Sequence, residues 1–249
     1  MLSPNQVETI KEQAYVGAPS ILTGVCKVIP RTIYDIIEMG TNNYNAKLGL
    51  LLLNETDIAK IIKEKTGQEP KIEEIYPLSY LLQSAAHDDM FLLELQSAFS
   101  TFIKEDVLLL PKINSVLVGP PQEKRLITEK NFVDFQDILR IQNRKEVREA
   151  PPENESAIAR KFRLKREARD AAKRKQQAKN GDGQSLAELL EIAETFGIDY
   201  SNKTLYAFYG LIQRHQAREK WNQDIQMLCA GADSKKLKTK YWGESLKEK

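Results

Sequence analysis

His87, Asp88 and Asp89 stand side by side, an imidazole and two carboxylates of the kind that ligate metal ions. No further ligand follows at helical spacing, and a closed metal site needs more donors than these. The carboxylates are explained more simply by the first turn of a helix, where an acidic side chain gains ~0.3–1 kcal/mol from the helix dipole. His215 falls within RHQAREKW on a polar helix face, the position of a solvated residue. Neither histidine has a Ser or Cys placed for activation, so no nucleophile is paired with a base. Cys26 and Cys229 lie far apart without a CxxC spacing, which argues against a thiolate metal site or a disulfide framework and fits a reducing compartment. Cys229, in MLCAGA, reads as a small buried hydrophobe on the last helix. Neither G-x-x-x-x-G-K-[ST] nor G-x-G-x-x-G occurs, so a nucleotide would lack its backbone cradle. The expected protein is not an enzyme, and no catalytic, metal or cofactor residues are assigned to it.

Charge is the stronger chemical signal. The 249 residues carry 37 basic and 35 acidic side chains, a net charge of +2. Residues 160–179 alone hold Arg160, Lys161, Arg163, Lys165, Arg166, Arg169, Lys173, Arg174, Lys175 and Lys179 against Glu167 and Asp170, so an acidic body carries a basic rod. Such a run could track phosphates, with an affinity that falls as salt rises. Its cations wrap around the whole helix, however, and Phe162 is its only aromatic, so no single face would meet a groove. Two readings stay open: a solvated connector helix, or an electrostatic docking arm, carried by Arg160 to Lys175, for an acidic partner or nucleic acid.

The elements that must carry these residues follow from hydrophobic periodicity. A short helix is expected over 30–38, stopped by Gly40, and the apolar run at 48–53 is too short to assign. Asn54, Thr56 and Asp57 are candidate caps for a helix ending at Gly67. YPLSYLLQSAA and MFLLELQSAFSTFIKE read as core helices, the second behind Asp88 and Asp89. VLLLPKINSVLVG reads as a hairpin or two edge strands, RLIT as a third strand, and Thr128 as the cap of a helix bearing Phe132, Phe135, Ile138, Leu139 and Ile141. The polar linker around Pro151 and Pro152 precedes the basic helix. SLAELLEIAETFG and TLYAFYGLIQRHQAREKWNQDIQMLCAGA then form a helical hairpin. The expected fold is α+β, mainly α: an α+β globular domain over 1–145, a linker and basic connector helix over 146–183, and a C-terminal helical hairpin with a Lys-rich tail over 184–249. No apolar run approaches the roughly 20 residues of a spanning helix, and the polar N-terminus lacks a leader pattern, so no membrane partner is expected.

Aromatic side chains concentrate at the C-terminal end. Some of them must be core, because so small a hairpin buries little without them. The rest are candidates for partner binding by helix-in-groove contact: Tyr206, Tyr209, Trp221, Tyr241 and Trp242. The same region combines a tyrosine-rich helix, a charged stretch from Arg214 to Trp221, an Ala-Gly-Ala-Asp-Ser-Lys-Lys turn and a lysine-rich tail, with ITEKNFVDFQDILRIQNRKEV and a charged helix upstream. This pattern, over the last half of the chain, resembles proteins from the structural-gene clusters of tailed bacteriophages of Gram-positive hosts, in particular tail-assembly chaperones. The resemblance implies a non-enzymatic morphogenesis protein that holds the helical tape-measure protein before the tail tube polymerises, or a minor virion component. It implies residence in the host cytoplasm during assembly, or in the virion, and it is compatible with a homo-oligomer. The alternative is a nucleic-acid-binding accessory protein using residues 160–179.

Overall fold

The computed structural model describes residues 2–68, 70–145 and 185–231, together with positions 169 and 243. Nine α-helices and two small antiparallel sheets make up these described residues, an α+β, mainly α fold as expected. The chain divides into two units, Met1–Ala150 with Ser201–Tyr206, and Pro151–Tyr200 with Ala207–Lys249. The basic connector helix lies outside the described residues, apart from Arg169, which is exposed.

In the first unit, α1 (Pro4–Val16) begins at a capping box between Ser3 and Gln6 and ends at Gly17, whose φ of 79° suits the left-handed turn there. β1 (Ser20–Leu22) and β2 (Cys26–Val28) pair as a hairpin, burying Leu22, Cys26 and Val28 and leaving Ile21 and Lys27 outside. α2 (Ile33–Met39) starts later than residue 30, because Thr32 is extended and its hydroxyl accepts the Asp35 N–H. The unassigned apolar run is the end of α3 (Thr41–Leu51), where Tyr44, Leu48 and Leu51 are buried at helical spacing. Asn54 caps α4 (Glu55–Thr66), which stops at Gly67 as expected. α5 (Pro77–Ala85) and α6 (Asp89–Phe102) follow; the Asp88 carboxylate accepts the N–H groups of Met90 and Phe91.

β3 (Val107–Leu110), β4 (Ser115–Val118) and β5 (Arg125–Ile127) form the second sheet in that order. β4 is therefore its central strand, not an edge, and all four of its residues are buried. Pro111 sits in the connecting turn, where no ladder N–H is required. α7 (Glu129–Gln142) begins after Thr128, whose N–H donates to Asn131 Oδ1 at 2.7 Å. The core lies where α6 meets α7: Phe99 and Phe135 stack at 5.6 Å, with Phe132 6.0 Å from Phe135. All three are fully buried, each worth about 1.5–3 kcal/mol of transfer free energy.

In the second unit, α8 (Leu186–Thr195) opens on a capping box between Ser185 and Glu188 and buries Leu189 and Ala193. α9 (Leu205–Cys229) is the longest helix described, and its buried residues Ala207, Phe208 and Ile212 are confined to its first turns.

Candidate partner-docking surface

The expected site residues on α9 fall into different environments. Tyr206 belongs to the first unit: Arg144 Nε donates to its carbonyl oxygen at 3.0 Å, and the guanidinium stands 4.5 Å from its ring centroid. Such a stack is worth ~0.5–2 kcal/mol, so this side chain is already engaged within the fold. Tyr209 is half-buried and meets Phe208 edge-on at 6.1 Å; burial pushes its hydroxyl pKa up. Phe208 also receives the edge of Tyr200, whose hydroxyl donates to Glu194 at 3.1 Å and is held protonated to higher pH by that bond. These rings form the aromatic centre of the small unit.

Two expectations are corrected here. His215 is not a solvated side chain: it is half-buried and stacks on Phe196 with ring centroids 5.2 Å apart. The apolar plane of Phe196 lies beside α9 because Gly197, at φ 65°, turns the chain immediately after it. Cys229 is exposed, not buried, because no residue of α9 beyond Ile212 is buried. Beyond Ile212 the residues of α9 are half-buried or exposed.

That distal part, residues 213–229, is the candidate surface. Ala217, Trp221, Ile225 and Leu228 recur at helical spacing, so they share one side of the helix. Ala217, Trp221 and Leu228 are half-buried, Ile225 is 36% exposed and Met227 51%. Asp224 and Arg214 share that side of the helix by their spacing, and Arg218 and Lys220 flank it. A helix face that mixes an apolar row with charges of both signs can bury the row against a second amphipathic helix and reject partners that set like charges against its own.

The remaining expected residues, Tyr241 and Trp242 in the tail and the basic residues of 160–179 other than Arg169, lie outside the described residues. Among the described residues no group of three His, Cys, Asp or Glu is placed to share a metal ion, and no helix is long and apolar enough to cross a membrane. The engagement of Tyr206 was not anticipated from sequence. No local signal marks it, because its partner Arg144 lies 62 residues away in the chain. Comparison with protein-family models, with curated proteins and with solved structures gives no match.

Proposed function

We propose that the chain is a non-enzymatic assembly protein that holds an amphipathic helix of a partner along the distal part of α9. The observation that supports this reading is the apolar row of Ala217, Trp221, Ile225 and Leu228 at helical spacing, on a stretch of helix where none of these side chains is fully buried. Following the resemblance of the C-terminal half, the partner is the tape-measure protein of a tailed phage, met in the host cytoplasm. Such a partner is long, helical and aggregation-prone until covered, and an apolar row interspersed with charge covers it reversibly. Retention as a minor virion component is the related outcome in which release does not follow.

Co-expression with the tape-measure protein followed by a pull-down tests the proposal: the two should elute together, and recovery of the tape measure wholly in the unbound fraction would refute it. The excess of basic residues in 160–179 supports a second reading, nucleic-acid binding. A salt titration against duplex and single-stranded DNA separates the two, because phosphate contacts lose affinity steeply between low and physiological salt whereas an apolar stripe does not.

A further inference from the structure

Thr32 and Thr204 face each other as an isolated antiparallel bridge, and each stands immediately before a helix, α2 and α9. The bridge exchanges backbone hydrogen bonds in both directions: Ile33 N–H donates to Lys203 O at 2.8 Å, and Leu205 N–H donates to Arg31 O at 3.3 Å. Tyr34 N–H adds a bond to Ser201 O at 3.3 Å. The first N–H groups of a helix lack intrahelical acceptors; here α2 finds them on Ser201 and Lys203, and α9 finds one on Arg31. Thr204 also donates its hydroxyl to Ala14 O near the end of α1. Arg144, just past α7, closes the far end through Tyr206. Residues 201–206 thus bond to α1, to α2 and to the end of α7 within the first unit.

Against this polar bonding the segment contributes little apolar surface. Ser201, Asn202 and Lys203 are exposed, Leu205 and Tyr206 are half-buried, and only Thr204 is fully buried. Segments with few buried apolar contacts open at lower free energy than the core on which they rest. We infer that Ser201–Tyr206 is a releasable strap, one that detaches as a unit while the rest of the first unit stays folded. Its release uncovers the N–H groups of Ile33 and Tyr34, the Ala14 carbonyl and the backbone edge at residues 31–34.

Native-state amide exchange on the full chain tests the strap. The amides of Ile33, Tyr34 and Leu205 should exchange together, about tenfold or more faster than those of Val116 and Val118 in the central strand β4. Thr204→Val keeps the shape and removes the hydroxyl donor, and should speed those three amides about tenfold while leaving β4 unchanged. Arg144→Ala should do the same from the other end. If the three amides exchange at β4 rates in the unsubstituted chain, the strap opens only with global unfolding and the inference is overturned. It is equally overturned if both substitutions accelerate β4 to the same degree, or move none of these amides.

Discussion

At Arg125 one guanidinium reaches three partners: it donates to the Val25 carbonyl at 3.1 Å, lies 3.3 Å from Glu105 and stands 2.8 Å from Glu123. The side chain reaches Gly119, where a methyl group would collide with the guanidinium, and the φ of 73° at Gly119 disfavours any other residue. Gly119→Ala should therefore cost more than ~1 kcal/mol, read as a lower urea midpoint with an unchanged slope. Cys26 lies close enough to feel the same charges. Burial first, and then the Glu105 carboxylate, push its thiol up to about 12, while Arg125 pulls the other way. A thiol whose folded pKa is raised stabilises the fold below its unfolded value, and that contribution is lost as pH rises towards the folded one. The urea midpoint should fall as pH climbs above about 9, and Cys26→Val should delay part of that fall. Tyr44, buried and bonded to Asn143, titrates in the same direction. A thiol reagent at neutral pH should label Cys229 at once and Cys26 only after denaturation, which counting adducts by mass spectrometry would check.

Elements in this protein are often finished by residues far away in the chain. Nothing local caps α5, whose N-cap is Tyr76; the Glu129 carboxylate, from the first turn of α7, accepts the N–H groups of Leu78 at 3.3 Å and Ser79 at 3.0 Å. Glu129→Ala should cost about 1–2 kcal/mol by thermal melting, the range of an ordinary lost cap. α3 is finished the same way, since Gln136 Nε2 donates to the carbonyls of Leu51 and Leu53. On α9 substitution should act mainly on binding. Trp221→Ala should lower the melting temperature less than Glu129→Ala, because the indole is only half-buried, yet weaken capture of the helical partner by ~2 kcal/mol, roughly 30-fold. Local signals were legible wherever one segment carried all of them: Asn54 with Gly67 bounded α4, and Asp88 opened α6. The caps from Glu129 and Gln136 were not, because a glutamate or glutamine on an amphipathic helix looks alike whether it serves water or another helix.

Over the whole molecule, α7 is the element on which the first unit depends for more than apolar packing. Gln136, Asp137, Arg140 and Gln142 are buried beside its phenylalanines, and Gln142 Nε2 alone reaches Ser20 Oγ and the Val28 carbonyl, tying the helix to the β1–β2 hairpin. Sequence periodicity found the apolar face of this helix and missed the polar one, since buried amides do not alter a hydrophobic pattern. Periodicity likewise traced α9 as one helix, but could not show that its first turn is bonded into a unit begun two hundred residues earlier. That arrangement has a consequence for synthesis. Residues 1–150 leave the ribosome before the strap does, and at roughly 5–20 residues per second the 56 residues between Ala150 and Tyr206 take about 3–11 s to add. Throughout that interval the α2 end of the nascent unit stands without the carbonyls of Ser201 and Lys203, so the order of translation leaves the main-chain edge at residues 31–34 bare before the chain can cover it.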